Sequence, residues 1–504
     1  MTQFMRHLLF ALFCWLSLAA HAAVDPALVK QLAAEESEDK IAAIQKIAQT
    51  ADPDAAKLLQ SLDEGTLKDA KGEDITINNR VRGELASALA ALRLFDPDRA
   101  VRFKAARELA ASADVAIAPL LAKARDKEGD GQIKALLAEA HALATLKDPD
   151  MNVRIAAAKA LATSTDPNTR TLLKAMTEPA NEAESLVRRA AFASYIEVKD
   201  RLTIGENVGK IFSGLSLGSI LLLAALGLAI TYGVMGVINM AHGELLMIGA
   251  YATYAVQGVF RNYVPAWLDW YVLAAIPVAF FAAALVGVVL ERTVIRWLYG
   301  RPLETLLATW GLSLMLIQAA RLIFGAQNVE LANPSWMSGG LEVIPGLMLP
   351  ANRLVIVGFA LFVLALVWVL MNRTRLGMFV RAVTQNRPMA GCVGVPTSRI
   401  DTVAFALGAG IAGLGGVALS QIANVGPDMG QGYIVDSFMV VVLGGVGQLA
   451  GAVWAALGLG IVTKFLEGWA GAVVAKIVVL VFIIVFIQKR PQGLFALKGR
   501  FVEN

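Results

Sequence analysis

Nine apolar segments fill the second part of the chain, at about 211–236, 240–260, 271–298, 303–324, 354–371, 401–424, 432–447, 449–466 and 472–488. Most approach the roughly 20 residues that an α-helix needs to cross a bilayer. Inside hydrocarbon every backbone N–H and C=O must find a partner within the protein, so spanning segments are helices or closed barrels. Runs of this length select helices. The two segments around 432–466 are short and interrupted by glycine. They read either as a broken pair or as one long segment.

Residues 24–205 belong to a different environment, rich in Ala, Asp, Glu, Lys and Arg. The whole-chain averages, 57% hydrophobic and 17% charged, blend the two parts. The net charge of +4 is small for 504 residues, and no basic stripe interleaves with aromatics. Nucleic acid is therefore not an expected partner. The two cysteines, Cys14 and Cys392, fall in different parts of the chain and make no expected disulfide.

Residues 1–23 have the three parts of a signal peptide. Arg6 and His7 make a basic start, Leu8 to Leu18 a short apolar core, and Ala20-His21-Ala22 a small-x-small cleavage site. An uncleaved anchor is the alternative. Either way the following domain is sent across the membrane.

That domain, 24–205, is helical by pattern, with Ala and Leu at helical spacing between charges. Asp52-Pro53, Asp96-Pro97, Asp148-Pro149 and Asp166-Pro167 mark expected helix starts, because Asp caps the first turn and Pro is tolerated there. Asp96-Pro97-Asp98 with Val101-Arg102, Ala105-Ala106 and Leu109-Ala110 is repeated by Asp148-Pro149-Asp150 with Val153-Arg154, Ala157-Ala158 and Leu161-Ala162. Val187-Arg188-Arg189-Ala190-Ala191 is a partial third copy, and Val81-Arg82 with Leu85-Ala86 a further candidate. The pattern resembles HEAT-type repeats, in which helix pairs stack on small apolar faces. An Ala-rich bundle is the alternative. No catalytic constellation is present, and His141 is the only histidine of the domain. The acidic run from Glu35 to Asp39 reads as a solvated face.

Charge sets the expected orientation. With the helical domain outside, alternation places the loops around 292–301 and 373–400, and the C-terminus, in the cytoplasm. These carry Arg292, Arg296, Arg301, Arg373, Arg375, Arg381, Arg387, Arg399, Lys489, Arg490, Lys498 and Arg500. The opposite loops, around 261–270, 325–353 and 425–431, are poor in Lys and Arg. The positive-inside rule and the signal segment thus agree. The expected fold class is all-α: a polytopic α-helical membrane core at 206–496, preceded by the soluble helical repeat-like domain and followed by a cytoplasmic tail at 497–504.

Glycines crowd two segments, Gly408 to Gly416 and Gly444 to Gly451. Small residues allow close helix packing, and interrupted helices can line a transport site. Asn239, His242 and Glu244 fall where the first two spans meet, a turn that alternation places near the cytoplasmic side. A polar group there is a pathway or gating candidate, or part of a network holding the turn. Asp436, Lys464, Glu467 and Lys476 are expected near the outer boundary, where snorkelling lowers their cost, and are not expected to be ligands.

Four stretches carry a family signature: Gly236 to Gly249, Arg381 to Gly394, Val442 to Gly447 and Arg490 to Phe495. Together they resemble the permease subunits of branched-chain amino acid-type ABC importers, over nearly all of 208–496. The long exported domain, with Gly300 to Leu314 and Phe324 to Val329, resembles the urea-importer branch. The resemblance implies urea as solute; composition alone says only small-solute transporter, and branched-chain amino acids or short amides stay open. It also implies two ATP-binding cassette subunits, a second permease subunit and a periplasmic solute-binding protein, in a bacterial inner membrane whose lipid surrounds the core. Arg381, Arg387, Ala390 and Gly394 fall on the family's ATPase-coupling loop, although the acidic residue usual before the alanine is replaced by Arg387, Pro388 and Met389. Asn239, His242, Glu244, Gly444 and Gly445 are the pathway or gating candidates. No Walker A, H-E-x-x-H or G-x-S-x-G pattern occurs. ATP hydrolysis is therefore expected in partner subunits, with neither enzyme activity nor cofactor in this chain. A passive channel would not need the coupling loop, and a sensor would need an output domain.

Overall fold

The computed structural model describes residues 26–34, 36–50, 53–67, 75, 77–112, 115–344 and 347–495. Residues 1–25, with the expected signal peptide and Cys14, together with Glu35, Asp52 and the residues from 496 on, lie outside them. The chain divides into two compact units, Met1–Ile204 and Gly205–Asn504.

The first unit is helical: α1 (Pro26–Leu32), α2 (Ser37–Gln49), α3 (Pro53–Asp63), α4 (Asn79–Arg93), α5 (Arg99–Ser112), α6 (Ala118–Lys127), α7 (Gly131–Thr145), α8 (Met151–Ala160), α9 (Pro167–Met176) and the start of α10 (Ser185–Met235). Leu59, Leu85, Leu109, Leu121 and Ile133 are fully buried, as their helical spacing requires.

The Asp-Pro pairs work in two ways. Asp166 caps α9 directly, its side chain accepting the Asn168 N–H. Asp96 and Asp148 do not start helices. Their carboxylates accept the N–H of Asp98 (2.8 Å) and Asp150 (2.9 Å), closing a tight turn, and Asp150 then caps α8. Pro at the middle of such a turn fixes φ and so favours it.

The repeated arginine tightens each turn from below. Arg102 donates to the Asp96 and Pro97 carbonyls at 3.0 and 2.9 Å and pairs with Glu128 at 2.9 Å. Arg154 repeats this on Asp148, Pro149 and Glu182 at 2.8, 3.0 and 2.9 Å. Arg188 donates to the Glu182 and Ala183 carbonyls. Val101-Arg102 and Val153-Arg154 in sequence are thus equivalent contacts in space, and Val187-Arg188 shares their carbonyl contacts.

These pairs set a pH response. The Arg102 hydrogen bond holds Glu128 below the usual carboxylate range. Burial pushes Glu182 up, but Arg154 more than offsets it, and the net shift is down. A carboxylate depressed in the folded state contributes stability above its unfolded pKa and loses it as pH falls through the folded value. Glu139 has the opposite sign: burial raises it against the Ser164 hydrogen bond, so its contribution is lost as pH rises. Glu128 and Glu182, joined by Asp130, which the Arg99 hydrogen bond lowers, oppose the single raised carboxylate Glu139. Amide protection of α5 and α8 in the full chain is therefore expected to fall as pH drops from about 5 to about 3. Arg154→Met should flatten that dependence for α8; an unchanged profile would show that the ion pair does not set it.

The second unit holds the rest of α10, α11 (His242–Tyr263), α12 (Tyr271–Thr293), α13 (Pro302–Phe324), α14 (Ala351–Arg373), short α15 (Arg375–Gln385) and α16 (Arg387–Cys392), α17 (Thr397–Ser420), α18 (Met429–Gly444), α19 (Leu449–Ala470) and α20 (Ala472–Lys489). One hairpin, β1 (Gly340–Ile344) with antiparallel β2 (Leu347–Pro350), precedes α14. Seven of these helices are long and apolar enough to cross a membrane. α11, with Glu244 and Arg261, is not among them, and α18 has only 16 residues. Seven of the nine apolar segments thus fall on helices that meet both criteria, and the other two fall on α11 and α18. The segments around 432–466 form a broken pair, separated by a turn with positive φ at Gly445 and Gly447.

α17 is the hub. Its glycines meet α12, α11 and α10 on successive faces. A methyl on Gly413 would lie 2.7 Å from the Ala279 carbonyl oxygen, and one on Gly416 would lie 2.8 Å from the Ala250 nitrogen. Absence of side chains lets these backbones approach, which is the main source of packing between helices in lipid. The exposed apolar faces of α13, α14 and α20 are those of helices bordering lipid or another apolar surface.

Candidate functional site

α10 ends at Met235, and Gly236 turns the chain with φ +65°. The non-helical segment 236–241 then runs back between helices. The Met240 N–H donates to the Thr309 hydroxyl at 3.1 Å. α11 begins at His242, whose Nε2 is 3.0 Å from the Ala224 carbonyl. Ala224 lies eleven residues before the end of α10, about 16 Å along it. The first turn of α11 is therefore near mid-depth of the unit. The sequence expectation of a turn near the cytoplasmic face is corrected. Tight packing at Gly227, beside the His242 ring, admits the re-entrant segment.

α18 also starts within the unit, after non-helical residues 421–428, where Val329 and Val425 bridge. Its N-terminus meets that of α11. A methyl on Gly243 would lie 2.8 Å from the Gly430 carbonyl carbon, and one on Gly430 would lie 2.8 Å from Glu244 Oε2. Neither helix has a side-chain cap. The Asp428 carboxylate instead pairs with Arg321 at 2.8 and 3.0 Å. Two positive helix ends thus converge on Glu244, whose carboxylate complements both dipoles.

Asn239, His242 and Glu244 are 2%, 0% and 1% exposed. The structure brings all three together. Ser313 donates to Glu244 Oε1 at 2.8 Å, and the Asn239 side-chain oxygen accepts the Ala241 N–H at 3.0 Å. Asn239 Nδ2, His242 Nδ1, Glu244 Oε2 and Tyr251 OH have no protein partner. With Nε2 donating to the Ala224 carbonyl, Nδ1 of the neutral His242 ring is an acceptor. Buried polar atoms are normally paired, so this concentration of unsatisfied donors and acceptors marks a site that handles polar matter. Ser313 and Thr309 were missed in the sequence, because hydroxyls on an apolar helix give no local signal.

Gly444 and Gly445 are not in this cluster. They lie at the other end of α18, fourteen residues from Gly430, about 21 Å away along the helix. Gly444 packs on the Gly451 backbone, and its carbonyl accepts the Phe495 N–H at 3.3 Å. Gly445 takes φ +98°. Both serve a turn next to Arg490-Pro-Gln-Gly-Leu-Phe495, which accounts for two signature stretches at once.

The loop with Arg381, Arg387, Ala390 and Gly394 forms α15, α16 and their exits. Asn386 supplies the cap of α16, accepting the Met389 N–H at 3.0 Å. Ala390 is buried, and Gly394 ends the helix at φ +87°. Arg381 donates to the Met371 carbonyl at 2.6 Å. Arg387 points inward: it pairs with buried Asp401 of α17 and donates to Tyr299 OH at 2.9 Å. Its guanidinium also lies 4.2 Å from the Tyr299 ring centroid. Burial pushes the Tyr299 hydroxyl up in pKa, with Asp401 adding to it. Burial opposes the Arg387 charge, but Asp401 outweighs it and the net shift is upward. The loop's large exposed apolar side chains include Met389 and Val393, 59% and 73% exposed. Asp401 and Tyr299, 14 and 88 residues from Arg387, were not legible as its partners.

Residues 210–487 match the family described as branched-chain amino acid transport system / permease component. The high-affinity branched-chain amino acid transport system permease protein LivH of Escherichia coli K12 is 29% identical over 292 residues, 56% of this chain and 94% of that protein. LivH of Salmonella typhimurium is 28% identical over 292 residues, with the same coverage of 56% and 94%. BraD of Pseudomonas aeruginosa is 28% identical over 291 residues, 56% of this chain and 94% of its own. These relatives are named as transport permeases, not enzymes. No solved structure matches the chain. With its apolar helices, its re-entrant segments and a match covering more than half its length, the chain belongs to the branched-chain amino acid transport system permease family.

Proposed function

We propose that this chain is the membrane-spanning permease subunit of an ABC importer for urea, moving its solute by alternating access driven by separate ATPase subunits. Permeases of its family work with ATPase and solute-binding subunits. The proposed assembly has a second permease subunit, two ATP-binding cassette subunits and an external solute-binding protein. The observation that carries the transport reading is the convergence of two helix N-termini on Glu244 inside the membrane unit. Interrupted helices at mid-depth are a recurrent way to expose polar backbone along a solute path.

Urea is supported by the long helical region ahead of the matched core and by the Gly300 to Leu314 stretch. Its chemistry also suits the cluster. Urea N–H groups can donate to Glu244 Oε2, and its carbonyl can accept from Asn239 Nδ2. The second reading is a branched-chain amino acid, favoured by the names of the relatives.

The arginines of the 292–301 and 373–400 loops support a cytoplasmic placement of that end, with the C-terminus there and residues 24–205 exported. Met389 and Val393 then present a small apolar knob to the ATPase, and residues 24–205 dock the solute-binding protein.

Cells lacking the chain, with and without its restoration, test this by uptake of labelled urea and leucine at low concentration. Restored, energy-dependent urea uptake that leucine does not reduce supports urea. Restoration of leucine uptake alone overturns the solute and keeps the importer. Deleting residues 24–205 should abolish binding-protein-dependent uptake; full uptake without them would sink the docking role.

A further inference from the structure

A cavity of about 250 Å³ lies between α10, α18, α19 and α20, toward the turn at Gly471 that joins α19 to α20 and so toward the opposite end of α20 from Arg490. Its polar lining is Tyr433, Asp436, Thr463, Lys464, Glu467 and Lys476, over an apolar floor. Lys464 and Glu467 pair along α19 at 2.5 Å. Lys476 reaches from α20 to Asp436 of α18 at 3.5 Å, longer than a good hydrogen bond. Two cations and two anions thus face one small space, and their charges cancel.

Boundary snorkelling explains Lys476, which is over half exposed, but not Asp436, whose side chain is 19% exposed. Asp436 sits eight residues before the end of α18, about 12 Å inside it. An ionisable group at that depth is costly and typically marks a pathway. α18 also joins this cavity to the mid-depth cluster. Gly430 and Ile434 touch Gly243 on one side of the helix, while Tyr433 and Asp436 line the cavity on another.

We infer that this cavity is where solute arriving from outside first binds, and that it takes a small, net-uncharged molecule carrying both hydrogen-bond donors and acceptors. The inference rests on the importer reading above. Such a molecule inserts into the long Lys476–Asp436 contact, donating to Asp436 and accepting from Lys476. A net ion would leave one side chain without its counter-charge, which is strongly unfavourable away from water. The volume lies just below the roughly 300–1,000 Å³ of pockets for drug-sized ligands. Urea and zwitterionic leucine share the required chemistry, and the test separates them.

Thr463, 9% exposed, reports on the cavity. The assembled importer carrying Thr463→Cys, with Cys14→Ser and Cys392→Ser, is placed in nanodiscs without solute-binding protein. A membrane-impermeant thiol reagent is applied with urea or with leucine. Labelling is expected, and the solute that the same importer transports in cells should slow it at least fivefold. Asp436→Asn should raise the concentration needed for protection about tenfold, the loss of one charge-assisted contact. No labelling, or labelling that the transported solute leaves unchanged, overturns the inference while the importer reading stands. Transport of neither solute in cells overturns the importer reading first, and the inference with it.

Discussion

Gly430→Ala is expected to cut uptake per membrane-inserted molecule at least about fivefold. The added methyl would lie 2.5 Å from the Gly243 carbonyl carbon and 2.8 Å from Glu244 Oε2. Two backbones cannot yield as the end of a flexible side chain can, so α18 must shift away from α11. Overpacking of a tight site costs about 1–3 kcal/mol, and each 1.4 kcal/mol is about tenfold in an equilibrium. The same displacement moves Tyr433 and Asp436. Gly258→Ala is the control: it lies on α11, with nothing within 4 Å of the added methyl. Its uptake should stay within about twofold, as for surface substitutions away from special features. Equal uptake by Gly430→Ala and wild type, normalised to inserted protein, would show that the meeting of the helix ends does not matter to transport.

Arg387→Ala is expected to uncouple ATP hydrolysis from uptake. The substitution leaves the Asp401 carboxylate, 3% exposed, without its cation. Removing one partner of a buried pair costs about 3–5 kcal/mol; with a third of the guanidinium in solvent, about 2 kcal/mol is expected here. α16 would then detach from α17, the hub whose glycines grip α10, α11 and α12. Solute transported per ATP hydrolysed should fall severalfold even where hydrolysis persists. Arg387→Lys should recover little, because lysine cannot make the forked contact to Asp401 or stack on Tyr299. The double variant Arg387→Ala with Asp401→Ala should recover inserted protein relative to Arg387→Ala, since no charge is stranded. An unchanged transport-to-hydrolysis ratio in Arg387→Ala would remove the clamp from the coupling route.

The sites divide by the range over which their signals act. Asn239, His242 and Glu244 were legible because ionisable and amide groups stand out in an apolar stretch. Their depth was not, because strict alternation of spans has no place for a segment that turns back at Gly236. Arg387 was legible as part of the coupling loop, but its direction was not. An arginine in a basic loop reads as solvent-facing until Asp401 and Tyr299 are placed beside it. Asp436 and Lys476 were read as boundary residues, since nothing in their own segments says they share a cavity across two helices.

The sequence by itself determined that there are two chemical environments, the helical character of both and the apolar segments, because length and polarity of a run act locally. It also contained the repeated Asp-Pro-Asp and Val-Arg spacing, whose equivalence in space follows from helix geometry. Only the tertiary structure decided that α11 and α18 begin within the unit and meet at Gly243 and Gly430. Only it showed that Gly444 and Gly445 belong to a distant turn, and that four charges on three helices enclose one cavity. The physical reason is that glycine carries no side chain to announce its neighbour: what it permits is a close approach, and which backbone arrives is settled by the packing of the whole unit.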